Sequence, residues 1–163
     1  MSDLQLVGLI PLHYFVQLLP FFLIVLDARS ENISPVIRII DGDITEVLHN
    51  QHPERIRISG IDCPEKGQAY GMRAKHAASD LAFGKDVTVQ THGHDKYRRT
   101  LGDVILPDGM NLNQELVKQG WCWWYRKYAL GSTTLERLEV EAREVRIPGV
   151  LRKARVPTRW DAT

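Results

Sequence analysis

The chain of 163 residues has little of several things that would each settle a class of function. It holds two cysteines, Cys63 and Cys122, and neither sits in a Cys-x-x-Cys or Cys/His spacing, which argues against a structural zinc site. It has no lysine or arginine before Arg29. Its formal net charge is only +1, so it lacks the strong overall electrostatic footprint of a dedicated polyanion binder. No internal repeat or low-complexity tract is present. The length allows one compact domain with a real core and is too short for two comfortable ones.

The missing basic residues matter most at the start. Residues 4–26 run for 23 positions without a charge, interrupted by Gln5, His13 and Gln17 and carrying Pro11 and Pro20. The second half of this run reads as the apolar region of a secretory signal, although it has no positive leader and Leu26 stands where a small residue is preferred before a cut at Ala28. The same length would span a bilayer as an uncleaved anchor, and a buried helix or mis-assigned start is the third reading. Residues 1–28 are therefore expected to be a signal peptide or membrane anchor, with possible membrane attachment through residues 4–26. Either of the first two readings puts the domain outside the cytoplasm, secreted, periplasmic or anchored. After Ala28 the chain carries 21 bases against 18 acids, a mildly basic body. Two cysteines in an exported protein are a disulfide pair or two buried thiols, and spacing alone does not choose.

From Val36 the pattern is β-like. Val36-Ile37-Arg38-Ile39-Ile40 leads into a turn at Asp41-Gly42-Asp43, and a loop is expected at residues 49–53. Arg55-Ile56-Arg57-Ile58-Ser59 alternates with period 2, which puts Arg55, Arg57 and Ser59 on the face opposite Ile56 and Ile58. Residues 70–83 are helical in composition and end at Gly84. Residues 86–91 form a strand, His92-Gly93-His94-Asp95 is expected to turn the chain, and residues 101–106 return. Asn111 caps a helix that runs to Gly120. An aromatic run at residues 121–128 precedes a last helix over 134–146. Trp121 and Trp123 are expected in the core. Five short strands interleaved with three helices predict an α+β fold, a small barrel-like sheet with helices.

Three polar clusters sit at the edges of these runs: Asp41-Gly42-Asp43, then Arg57 with Asp62-Cys63-Pro64-Glu65, then Asp95-Lys96-Tyr97-Arg98-Arg99. Each alone is weak, since Asp-Gly-Asp is usually just a turn and a strand arginine is usually solvated. Together they supply carboxylates for a hard divalent cation and guanidinium groups whose paired N–H donors fit phosphate oxygens.

In order and spacing these clusters resemble both signatures of the thermonuclease family, typified by staphylococcal (micrococcal) nuclease, and the likeness runs from about Val36 to Gly149. The resemblance implies a five-stranded OB-fold barrel with about three helices over residues 34–150, followed by a tail at 151–163. It also implies Ca²⁺-dependent cleavage of DNA and RNA with little sequence specificity, leaving 3′-phosphate ends. By similarity, Asp43, Asp62 and the backbone carbonyl of Cys63 hold Ca²⁺, Glu65 orients or deprotonates water, and Arg57 and Arg99 grip the phosphate. Lys96, Tyr97 and Tyr125 are expected to contact substrate, and a monomer is expected. His92 and His94 are not expected to be ligands, because calcium prefers oxygen. Since the family chain near residue 63 runs close to the segment after the second helix, the resemblance also implies a Cys63–Cys122 disulfide.

Three positions depart from the family pattern: Ile44 where threonine is usual, Cys63 where threonine or alanine is usual, and Arg98 where glycine is usual. A side chain at 98 demands a backbone that a non-glycine residue tolerates. The competing reading is a noncatalytic OB module that binds nucleic acid or protein, which would have lost the five functional side chains present here.

Overall fold

The computed structural model describes residues 33–144; the expected signal or anchor, the end of the last helix and the tail lie outside this range. Five strands close into a barrel: β1 (Ile33–Asp41), β2 (Ile44–His49), β3 (His52–Ile58), β5 (Asp86–His94) and β6 (Thr100–Ile105). Their order round the barrel is β1-β2-β3-β6-β5, with β3 and β6 parallel and the other neighbours antiparallel. Closure leaves the sheet no open edge for stray pairing.

The period-2 reading of β3 holds: Ile56 and Ile58 are buried, while Arg55 and Arg57 take the other face. The expected loop at 49–53 shrinks to two residues. Asn50 and Gln51 both adopt positive φ, 47° and 64°, and His49 pairs directly with His52. Two left-handed residues give a hairpin turn whose twist matches that of its strands.

The expected turn at His92-Gly93-His94 is corrected, because β5 continues through His94. Thr91 pairs with Gly102 and Gly93 with Leu101, so His92 is an extra residue absorbed as a bulge. The chain reverses one step later, at residues 95–99.

Among the described residues there are three helices, the first two of which pack on barrel strands. Helix α1 (Gly71–Ala82) buries Ala74, Ala78 and Ala82, a stripe at i, i+4, i+8 whose small side chains let it lie close to β1. Helix α2 (Leu112–Lys118) is capped by Asn111, whose side chain accepts from Gln114 N, and buries Leu112, Leu116 and Val117. It stops two residues before Gly120, which takes φ 72° and donates to Val117 O while Trp121 N donates to Leu116 O. That pair of bonds is a Schellman motif, and it turns the chain back toward the barrel. Helix α3 (Thr133–Glu144) packs Leu135 and Leu138 against α2.

A second, two-residue ladder was not evident in the pattern. Strand β4 (Ile61–Asp62) pairs with β7 (Trp123–Trp124), matching Ile61 to Trp124 and Asp62 to Trp123. Trp123 is 5% exposed, as expected of core, whereas Trp121 is only partly buried. Among the described residues no helix is long and apolar enough to cross a membrane.

Candidate active site

Asp43 ends the β1–β2 turn and is buried. Its Oδ2 accepts from Cys63 N at 3.0 Å and lies 3.0 Å from Arg57 Nη2. Asp62, at the end of β4, brings its Oδ1 to within 3.1 Å of the same nitrogen. Arg57 Nη1 is held by Ile58 O at 2.9 Å and Ile61 O at 3.0 Å. Two carboxylates therefore share one guanidinium that is itself anchored to the main chain.

That arrangement is short of positive charge. Burial pushes the Asp43 carboxyl up to about 6, and its neighbours Asp62 and Asp41 add to the rise, against the opposing pull of Arg57 and the Cys63 amide. A second cation would relieve this. The nearby sulfur is unavailable as a ligand, since Cys63 and Cys122 are joined in a disulfide with Cα atoms 4.3 Å apart. The donors left are oxygens, which suits a hard divalent cation. Among the described residues no three His, Cys, Asp or Glu side chains gather into a cage. A cation at this place would draw on two carboxylates plus carbonyl and water oxygens, and the residues fit that description.

Asp41 does more than turn the chain. Its Oδ1 accepts from Gly42 N, and its Oδ2 lies 3.4 Å from Lys66 N, tying the β1–β2 turn to the segment after Pro64.

Glu65 is exposed, and no hydrogen bond joins its carboxylate to Asp43, Asp62 or Arg57 among the described residues. Its main chain is fixed from both sides. Glu65 N donates to Gln68 Oε1 and Gln68 N donates to Glu65 O. The start of α1 abuts the same carbonyl: a Cβ on Gly71 would fall 1.9 Å from Glu65 O, so only glycine fits.

Arg99 lies just before β6. The β3–β6 ladder pairs Ile56 with Thr100 and Arg57 with Leu101. Thr100 and Ile56 are buried, so alternation puts Arg99 on the same side as Arg57. Its guanidinium is bound by Asp95, as described below. Arg98 adopts φ 62°, the left-handed backbone that its departure from glycine made an issue.

Lys96 and Tyr97 occupy the tip of the β5–β6 loop. Tyr97 is 68% exposed, with Lys96 Nζ 4.9 Å and Arg99 Cζ 5.3 Å from its ring centre. Tyr125 directly follows β7, opposite Gly60. Its N donates to Gly60 O, and its ring meets Tyr128 edge-on at 4.9 Å.

Comparison with known proteins bears on this arrangement. Residues 55–148 match the family described as "Staphylococcal nuclease homologue". An "Uncharacterized endonuclease" of Escherichia coli O157:H7 is 43% identical over 109 residues, 67% of this chain and 71% of that protein. A "Micrococcal nuclease" of Shigella flexneri is 39% identical over 130 residues, 74% of this chain and 72% of its own. "Protein ParB" of Escherichia coli is 40% identical over 129 residues, covering 74% and 73%. The family match spans more than half of the chain and includes the strand bearing Arg57, the Asp62 and Glu65 segment and the Arg99 loop; with the closed five-stranded barrel, it makes this chain a member of the staphylococcal nuclease family.

Proposed function

We propose that this protein is a metal-dependent nuclease that hydrolyses the phosphodiester bonds of DNA and RNA with little sequence specificity, with Ca²⁺ as its metal and 3′-phosphate ends as its product. The observation that carries the reading is the pairing of buried Asp43 and half-buried Asp62 on one nitrogen of Arg57. The names of the relatives, a micrococcal nuclease and an endonuclease among them, support it.

Asp43 and Asp62, with the Cys63 carbonyl, are the residues that would hold the metal. Bound there, a divalent cation supplies Lewis-acid polarisation of a phosphate oxygen. The remaining roles belong to this chain's side chains. Glu65, exposed and set on a rigid turn, orients the attacking water and takes its proton, help typically worth about 10²- to 10⁴-fold. As water oxygen bonds to phosphorus, the bond from phosphorus to the 5′ oxygen breaks, and that oxygen leaves with the bonding pair and takes a proton from solvent water. Charge builds on the nonbridging oxygens, and Arg57 and Arg99 offer N–H donors to it.

Arg57 adds a condition. Its Nη1 donates to two carbonyls, and its Nη2 donates to Asp62 and sits in ion-pair contact with Asp43, so among the described residues most of the five donors a guanidinium owns are engaged. Its Nη2 reaches phosphate only when Asp43 and Asp62 release it. Metal and phosphate should therefore bind cooperatively. The charge-free run at residues 4–26 and the disulfide support an exported location.

Digestion of single- and double-stranded DNA and RNA with Ca²⁺, with EDTA, and with Glu65→Gln tests the reading. Cleavage that needs the metal and falls at least a hundredfold in the variant is expected. Fragment ends that block extension until a phosphatase removes a 3′-phosphate are expected as well. Binding of nucleic acid without any metal-dependent cleavage would instead make the chain a noncatalytic module.

A further inference from the structure

The loop from Asp95 to Arg99 contains a carboxylate to which no role has been given. Asp95 N donates to Arg99 O and Arg98 N donates to Asp95 O, both at 3.0 Å, closing a three-residue hairpin loop over 96–98. Loops of this length pair a type I turn with a left-handed third residue, the place Arg98 occupies at φ 62°. The Asp95 side chain sits inside the loop. Its Oδ1 accepts from Tyr97 N and from Arg99 N, each at 2.9 Å. Its Oδ2 accepts from Arg99 Nε at 2.7 Å and lies 2.6 Å from Nη2 in the same ion pair.

One oxygen thus shapes the loop and the other holds the guanidinium. The side-on edge of Arg99, Nε with Nη2, is filled by Asp95. What remains is the end-on edge, Nη1 with the second Nη2 hydrogen, the pair of parallel donors that fits two oxygens of a phosphate. The Tyr97 ring beneath the guanidinium adds a further restraint. Arg57 is anchored in an analogous way by the carbonyls of Ile58 and Ile61, so both arginines on this side of the β3–β6 ladder are fixed before substrate arrives.

We propose that Asp95 is a positioning residue for the phosphodiester reaction, clamping Arg99 so that its end-on edge faces the phosphate. The inference rests on the nuclease reading above. Burial pushes the Asp95 carboxyl up, yet the Arg99 amide, the Arg99 side chain and the Tyr97 amide together hold it below the usual range, so the clamp stays ionised at neutral pH. Asp95→Asn isolates the second function: its carbonyl oxygen still serves the two amides, while its NH₂ faces Arg99 Nε donor to donor. Orientation is lost and the loop is kept.

The test uses the full-length protein. Expected for Asp95→Asn are a kcat about ten- to a hundredfold lower, KM within about twofold, and a melting temperature lower by only a few degrees, as loss of one ion pair requires. Three controls separate orientation from loop folding. Adding Arg98→Gly, which relieves the left-handed residue, should not restore kcat. In an Arg99→Ala background, Asp95→Asn should cost no further rate. The Arg99 Nε–H resonance should be protected from exchange in the wild type and lose that protection in Asp95→Asn. Wild-type kcat in the single variant, full rescue by Arg98→Gly, independent multiplication of the two losses, or an Nε–H equally protected in both proteins would each overturn the proposal. A wild type with no metal-dependent cleavage would defeat the nuclease reading instead, and the Nε–H measurement still decides whether the clamp exists.

Discussion

Asp43→Asn should make the metal-free protein more stable at pH 8 while abolishing metal binding. The folded carboxyl titrates at about 6 against 3.8 for the free group. A folded value above the unfolded one means that the group's contribution is fully present below about pH 4 and is lost as pH rises through about 6. Above that, keeping Asp43 ionised costs roughly 3 kcal/mol, from the two-unit rise at 1.36 kcal/mol per unit. Asparagine keeps an acceptor for Cys63 N and carries no charge, but it weakens one side of the Arg57 contact, so a net gain of about 1–3 kcal/mol is expected. Urea unfolding in EDTA, followed by tryptophan fluorescence, gives the stability of each protein at pH 4.5 and pH 8. The difference between them should favour the variant at pH 8 and shrink or reverse at pH 4.5. Added Ca²⁺ should raise the wild type and leave the variant where it was. A variant no more stable at pH 8 than at pH 4.5, relative to wild type, would refute the view that Asp43 is a buried charge awaiting a cation.

Replacing both Cys63 and Cys122 with serine opens a loop spanning 59 residues and should cost about 4 kcal/mol by loop entropy, read as a lower urea midpoint. Because Cys63 N donates a hydrogen bond to Asp43, Ca²⁺ affinity measured by calorimetry should fall in the same variant. Arg98→Gly removes a left-handed side chain and should stabilise the protein by about 1 kcal/mol, a rise of a few degrees in Tm. Gly71→Ala drives a Cβ into Glu65 O and should cost about 1–3 kcal/mol together with a marked loss of cleavage, since the backbone bearing Glu65 must move.

Much of the fold was readable because it rests on local rules. The alternation of residues 55–59 gave the face that carries Arg57, and Gly84 and Gly120 marked the helix ends. The errors share a cause. His92-Gly93-His94 has the composition of a turn, but a bulge accommodates it and the strand goes on. Asn50 and Gln51 form the whole β2–β3 turn because non-glycine residues accept positive φ there. The β4–β7 ladder is two residues long on each side, too short to show a period, and its partners are some sixty positions apart. Among the site residues, Asp95 and Arg99 were visible as types. Their bond was not, because an i, i+4 carboxylate and guanidinium in a loop meet only if the loop closes as this one does. A turn is all that the sequence around Asp41 shows, and its tie to Lys66 depends on how two distant segments approach.

The β4–β7 ladder also bears on when the protein acquires a working site. Asp62 takes its strand geometry from Trp123, and Cys63 is bonded to Cys122. The first three barrel strands and α1 are synthesised long before those partners, and a domain generally folds as a unit. A nascent chain carries Asp43, Arg57, Asp62 and Glu65 without the contact that fixes the edge between them. Non-local contacts of this kind are slow to form. Maturation of the site is thereby deferred to the last stage of folding, after the chain has passed Trp124.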